Sequence, residues 1–450
     1  MFIGFDYGTS NCSVALLQEG APRLLPLEND SFYLPSTLAA PTRESVSEYL
    51  FRHHQIQPLD AVGQQVLRRA MALNREEGIE LQAEDVLFGQ AALALYLAHP
   101  QDLYYVKSPK SFLGAMGLHA VQLSFFEDLV CAMMANIKQQ AERVCGQTIE
   151  DTVIGRPVNF QGRGGEDSNR QAENILRRAA SRAGFRHIEF QFEPVAAGLE
   201  YEATLTEPQT VLVVDIGGGT TDCSLLQMGP QWRQQSDRSG SLLAHSGQRV
   251  GGNDLDIHLA FRQLMPHFGL GSLLDSGLEM PMKQLWNPVA INDLAAQNDF
   301  YAQRNLAELR QLQKEAQEPH KLARLLQVYH DSLGYHLVRR AEEAKIALSR
   351  QPQFHTELAL ESGPLPLDIN NAEMLLALEE PKQQIIKLVR EAIEQGGCQP
   401  DVIFMTGGSA RSPVLRQAVA AVLPQVPLVS GNDFGSVTAG LSRWAGVCFK

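Results

Sequence analysis

Two short stretches carry the residue types best suited to chemistry. Residues 5–17 read FDYGTSNCSVALL and residues 213–226 read VVDIGGGTTDCSLL. Without two of its glycines the second runs parallel to the first: Asp, any residue, Gly, Thr, Ser or Thr, Asn or Asp, Cys, Ser. Each aspartate follows an apolar run, residues 2–5 in one case and 210–214 in the other. Each therefore reads as a strand that delivers a carboxylate into a Gly-bearing hairpin turn. Such a turn suits phosphate, because glycine lets the backbone come close and successive N–H groups form an anion-binding concavity. Magnesium takes hard oxygen ligands and keeps several waters, so one or two carboxylates suffice. Asp6 and Asp215 would supply them, one from each hairpin. One copy is most simply a turn. Two matching copies about 200 residues apart predict two similar lobes, each presenting a phosphate hairpin to a shared cleft.

A third loop, Gly407-Gly408-Ser409, lies between an apolar run and a helical pattern. It would let a flat base or ribose rest on the backbone; alone, a Gly-Gly pair is also an ordinary turn. No GxxxxGK[ST] occurs, which excludes a P-loop enzyme.

The elements needed to position these loops can be read along the chain. Helices are predicted over much of 64–98, over 122–144, and over 168–183 with Gly184 as a stop. Strands are predicted at 151–160 and 187–192, the latter running into Glu193-Pro194 and a helix. Residues 255–350 read as mostly helical, most clearly 335–350, and Pro352 breaks the pattern. Strand character returns near 354–360. A helix spans 372–395, interrupted or begun at Pro381, and a last helix follows 435. The heptads of 316–327 are not sustained, so packed helices are expected there and not a coiled coil. Strands alternating with helices make the class α/β.

The chain has 450 residues, room for two to four domain-sized cores. With 38 basic and 51 acidic residues the net charge is −13, which disfavours nucleic acid or an anionic membrane as partner. Cys12, Cys131, Cys145, Cys223, Cys398 and Cys448 are scattered with no CxxC pair, so reduced thiols in a cytoplasm are expected. Neither a signal-peptide pattern nor an unbroken apolar run of spanning length is seen, so no membrane span is expected.

FDYGTSNC, VVDIGGGTTD and TGGSARSP resemble the two phosphate motifs and the adenosine motif of the actin–hexokinase–heat-shock ATPases. Within that superfamily the chain is most similar to the ATPase domain of DnaK-type heat-shock chaperones, in particular truncated, atypical bacterial ones. Residues 88–114, GRPVNF, FEPVAAGLEY, GGNDLD and EEAKIALS all fall in family order. The resemblance runs from residue 2 to about 449 and is weak at 44–85 and 262–335.

It implies a two-lobed actin-like ATPase fold, each lobe a ribonuclease-H-like mixed sheet flanked by helices. The first lobe would be 1–204, with a helical insertion at about 35–112 and the C-terminal helix 430–450 returning to it. The second would be 205–429, with a helical subdomain at about 246–355. It implies ATP/ADP and Mg2+ as ligands, Asp6 and Asp215 holding the metal through water. Gly8, Thr9, Ser10 and Asn11, and Gly217, Gly218, Gly219 and Thr220, would contact phosphates. Lys110 would bind the terminal phosphate, with Lys107 as its rival in the sequence, and Glu193 would orient water. Asp222 or Thr220 would accept the proton. Gly251 would be a further cofactor-binding residue, and Glu342, Lys345, Gly407, Gly408, Ser409 and Arg411 would serve base and ribose. A small-molecule kinase of the sugar type and a filament-forming or cofactor-reactivating ATPase are the alternatives.

Two departures matter. The family's arginine after Lys345 is Ile346 here, and Phe434 stands where an aspartate is usual, with Asp433 adjacent. Both imply weaker ATP binding than is typical. Typical members continue into a peptide-binding β-sandwich, whereas this sequence stops at Lys450. The expectation is therefore an ATPase domain alone, monomeric, acting on an unknown client or partner protein, with 44–85 and 262–335 as candidate surfaces.

Overall fold

The structure is a computed structural model that describes all residues except 29, 100–101, 161–164, 234, 236–237, 432–434 and 450. Asp433 and Phe434 therefore lie outside the described residues. Two compact units result: Met1–Gly251 with Ile385–Arg411 and Leu415–Lys450, and Gly252–Gln384 with Ser412–Val414.

The chain opens with strands β1 (Phe2–Tyr7), β2 (Asn11–Gln18), β3 (Ala21–Leu24), β4 (Leu34–Pro35) and β5 (Thr37–Ala40). Helices α1 (Arg43–His54) and α2 (Ala61–Glu76), strand β6 (Leu87–Phe88), α3 (Gly89–Ala98), β7 (Tyr104–Lys107) and α4 (Ala120–Cys145) follow. Then come β8 (Asp151–Arg156), α5 (Gly165–Arg182), β9 (His187–Phe192), α6 (Glu193–Glu202), β10 (Gln209–Ile216), β11 (Thr221–Met228) and β12 (Leu242–Gln248). The helices α7 (Gly252–Leu259), α8 (Met282–Trp286), α9 (Leu294–Phe300), α10 (Gln303–Glu315), α11 (Pro319–His330) and α12 (Gly334–Leu348) precede the hairpin β13 (Gln353–Leu358) and β14 (Leu365–Asn370). The chain finishes with α13 (Asn371–Ala377), α14 (Glu379–Gly396), β15 (Val402–Thr406), α15 (Pro413–Ala420), β16 (Leu428–Ser430) and α16 (Ser436–Cys448).

The repeated loop belongs to a repeated sheet. In the first, the strand order is β3-β2-β1-β8-β9, with β4 added to β2; in the second it is β12-β11-β10-β15-β16. Each is an antiparallel three-stranded meander whose first strand also pairs in parallel with a later one, β1 with β8 and β10 with β15. Asp6 pairs with Ser13, and Asp215 with Asp222, so both aspartates hold the same place beside their hairpin.

Pattern explains the layers. On β1, Ile3, Phe5 and Tyr7 are buried on one face. Gly4 faces the other way, where a Cβ would run into the backbone of Leu441 and Ser442 on α16. A strand glycine here admits a helix at close range. Helix α4 alone among the described helices is long and apolar enough to cross a membrane. Its run from Leu129 to Met134 is buried in the core of the first sheet, together with Phe5, Val14 and Phe185. A second core joins Val153 of β8, Ala196 of α6, Val213 of β10, Phe404 of β15 and Leu441 of α16. Helix α5 carries Glu166 and Asp167 in its first turn and Arg182 in its last, as the helix dipole favours. Gly184 beyond it has φ +97°.

The stretch 64–98 is not helical throughout. Leu87–Phe88 leave the pattern to pair with Leu38 and Ala39 of β5, a sheet contact invisible in local sequence.

The other unit is helical with one β-hairpin. Helix α12 buries Leu337, Val338, Ala341, Ala344 and Leu348, a single face at helical spacing. Pro266, which lacks an N–H and crowds the preceding turn, follows a π-helical segment at 260–264 and sits in a 3-10 turn. Helix α11 begins at Pro319 and buries Leu322, Leu325 and Val328, a packed helix and not a coiled coil. Pro381 is the third residue of α14, so the proline begins that helix and does not break one.

Candidate functional site

Both hairpins lie in the first unit, and their tips meet. Gly8–Ser10 join β1 to β2, and Gly217–Thr220 join β10 to β11. A Cβ on Gly219 would stand 2.8 Å from Thr9 Cγ2 and 3.5 Å from Ser111 Oγ. A Cβ on Gly218 would collide with the Ser10 side chain. The two extra glycines of the second copy are thus what lets the loops approach. Gly217 N–H donates to Thr220 O at 2.9 Å and closes the second turn.

Each loop is held from behind. Ser36 Oγ donates to Gly8 O at 2.6 Å, and Ser36 N–H to Ser10 O at 2.9 Å, which pins the first loop to the β4–β5 junction. Buried Cys12 contacts the same hydroxyl at 3.3 Å. The third loop supports the second. Gly407, with φ +90°, has its hypothetical Cβ 2.5 Å from Asp215 Oδ1, and Ser409 Oγ donates to Gly217 O at 3.2 Å. At this φ and this distance only glycine fits without displacement. Gly251 presses on the same hairpin; a Cβ there would be 2.7 Å from Gly217 O.

Lys110 sits in a short 3-10 turn after β7, 4% exposed. Its Nζ pairs with Glu193 and lies 3.4 Å from Gly155 O. Glu193 opens α6, ahead of Pro194 in the first helical turn. Lys107 is half-buried on β7, opposite Thr37.

Four carboxyls share this region. Burial, then repulsion from Glu193, pushes Asp6 up to about 7 despite the opposing pull of Lys110. The same two causes push Asp222 up to about 8, against the Val158 N–H, Lys110 and Arg156. Asp215 is held well above the usual carboxylate range by burial and by Glu193, Asp222 and Asp6. One oxygen of Asp222 is buried with no hydrogen-bond partner. Crowded, buried carboxyls of this kind fit a divalent cation, whose charge would favour their ionised forms. Among the described residues no three acidic, His or Cys side chains converge as a ready-made cage.

Of the other expected site residues, Asn11 begins β2 opposite Pro35, and Arg411 is exposed, in electrostatic range of Tyr33. Glu342 and Lys345 lie on α12 in the second unit. There Lys345 pairs with Asp256 at 2.7 Å and donates to Gly252 O at 3.2 Å, while Glu342 accepts from Arg339 at 2.8 Å. Ile346 beside them is 51% exposed.

The Hsp70 protein family profile matches residues 115–268, which include Glu193, the second hairpin and Gly251. Chaperone protein dnaK3 of Thermosynechococcus vestitus is 24% identical over 457 residues, covering 99% of this chain and 55% of that protein. Chaperone protein dnaK of Cyanophora paradoxa is 26% identical over 462 residues, covering 99% of this chain and 60% of its own length. Chaperone protein DnaK of Halobacterium salinarum is 26% identical over 330 residues, covering 71% and 42%.

Along almost its whole length the chain is similar to DnaK-type Hsp70 chaperones.

Its mixed sheets flanked by helices agree with the actin-like ATPase fold of the Hsp70 family. The chain spans little more than half the length of the two DnaK relatives that cover it almost entirely. Sequence reasoning overlooked three residues around the hairpins of this Hsp70 relative. Ser36 anchors the first loop. Ser111 and Arg249 line one narrow pocket with Thr9, Lys110, Pro157, Phe160, Gly219 and Thr220. Ser36 and Ser111 carry no local signal. Arg249 does, as a lone cation in GQRVGG just after a strand.

Proposed function

We propose that the chain binds ATP with Mg2+ between its paired hairpins and hydrolyses it slowly, and that the nucleotide state switches its grip on a partner protein. The observation that carries this reading is the meeting of the two Gly-bearing loops beside Asp6 and Asp215, with the Lys110–Glu193 pair next to them. The Hsp70 relationship supports the same reading.

In this mechanism the backbone N–H groups of 8–11 and 218–220 cradle the phosphates, and Asp6 and Asp215 would hold magnesium. Bound magnesium would supply charge neutralisation on the phosphate oxygens. Lys110 Nζ donates to the terminal phosphate and stabilises charge developing there. Glu193, tied to Lys110, orients the attacking water, and Asp222 or Thr220 takes its proton. Phosphoryl transfer depends on positioning and charge more than on covalent chemistry, so this set suffices for a slow reaction. Gly407, Gly408, Ser409 and Arg411 would bear on the nucleoside side. The partner would be a client protein, and affinity capture with ATP against ADP would identify it.

The test is phosphate release from ATP by the wild type, Asp215→Asn and Lys110→Ala, each checked for retained folding. Sugar-independent turnover that both changes abolish is the expected result. Wild-type rates in both variants, or strict dependence on a sugar acceptor, would overturn the assignment.

A further inference from the structure

Arg249 has no part in the chemistry described so far. It sits between β12 and α7, and the backbone on either side of it is fixed to the second hairpin. Gln248 pairs with Thr221 in the β11–β12 ladder, and Thr221 Oγ1 donates to Val250 O at 2.7 Å. Gly251 is so close to the hairpin that a Cβ would lie 2.8 Å from both Gly218 C and Gly219 N. A residue clamped this way keeps its register to the phosphate loop. The half-buried Arg249 side chain lines the narrow pocket that Thr9, Lys110, Ser111, Gly219 and Thr220 also line.

The charges around that pocket leave a need for such a group. Lys110 is already paired with Glu193, and buried Asp215 and Asp222 and half-buried Asp6 add carboxyl charge in the same region. A triphosphate adds further negative charge. A guanidinium offers a rigid fork of donors that matches two phosphoryl oxygens at once, and it stays protonated. In a loose phosphoryl-transfer transition state the charge sits on the equatorial oxygens of the moving group, where an arginine supplied from the same chain acts most strongly.

We propose that Arg249 is a further catalytic residue, donating to the terminal phosphoryl group of bound ATP and stabilising its charge during hydrolysis. The inference rests on the ATPase reading above. In the step it assists, the water oxygen bonds to the terminal phosphorus as the bond to the bridging oxygen breaks. The electron pair leaves on the diphosphate, and the water proton passes to Asp222 or Thr220.

The experiment compares wild type, Arg249→Gln and Arg249→Lys in single-turnover ATP hydrolysis, in ATP and ADP affinity by calorimetry, and in trapping of ADP with aluminium fluoride. Arg249→Gln is expected to slow hydrolysis about 100-fold, the scale of losing one preorganised charge-stabilising donor. It should hold ATP and ADP within about threefold of wild type and fail to trap aluminium fluoride. Arg249→Lys should recover part of the rate, since it keeps the charge without the fork. If wild type hydrolyses ATP and both variants match it in rate and trapping, the Arg249 role is wrong while the site stands. A parallel fall in affinity, rate and thermal midpoint in both variants would show a structural role and also refute it. If wild type neither binds nor hydrolyses ATP, the ATPase reading itself fails.

Discussion

Replacing Gly251 by alanine probes how tightly the second hairpin is set. The added methyl would sit 2.7 Å from Gly217 O and 2.8 Å from Gly218 C and Gly219 N. All three are backbone atoms, so no side chain can swing aside. Ordinary carbon contacts begin near 3.5 Å, so the hairpin must back away by roughly 0.7 Å or the 249–251 turn must lift. Overpacking of this kind costs about 1–3 kcal/mol. A shift approaching 1 Å in a positioning element costs up to about 100-fold in rate. The expected result is therefore a modest fall in thermal midpoint with a disproportionate fall in ATP turnover. The assay is single-turnover hydrolysis alongside thermal unfolding with and without Mg·ADP. Wild-type turnover in Gly251→Ala would refute the argument that this contact sets the hairpin.

Other outcomes can be checked beside it. Asp6 and Asp222 are raised to about 7 and about 8 in the folded chain. Their folded forms favour the proton, so the stability they contribute is full below the ordinary carboxylate range and is lost as pH rises through those values. Thermal melts without nucleotide should therefore fall from about pH 6 to about pH 9, and Mg·ADP should restore more at the higher pH; Asp6→Asn with Asp222→Asn should flatten the slope. Glu202 accepts from both Arg238 nitrogens at 2.9 Å and from Gly229 N–H at 3.0 Å, deep in the first unit. Glu202→Ala should cost about 3–5 kcal/mol by denaturant unfolding, and a loss under about 1 kcal/mol would show that the pair is not buried as described. Ile346 cannot supply a cationic stacking group, so ATP affinity should be weaker than sub-micromolar and Ile346→Arg should tighten it; calorimetry decides both.

Much of this protein was written locally. The two Asp–x–Gly hairpins, the strand before each and the helix that Gly184 ends all follow from residue type and spacing, because turns and periodicity are short-range properties. The duplicated loop even announced a duplicated sheet, since a strand–turn–strand unit brings its pairing rule with it. Other features had no local trace. Leu87–Phe88 became a strand only because β5 offered an edge. Ser36 anchors the first loop at Gly8 from 28 residues further along the chain, and the place of Arg249 beside Thr9 depends on how β12 returns to β11. The elevated carboxyls exist only where folding removes water from Asp6, Asp215 and Asp222 together. The sequence by itself determined which residues could bind phosphate and in what turns. Tertiary structure alone decided which of them face one another, because burial and mutual charge are properties of atoms brought together from distant parts of the chain.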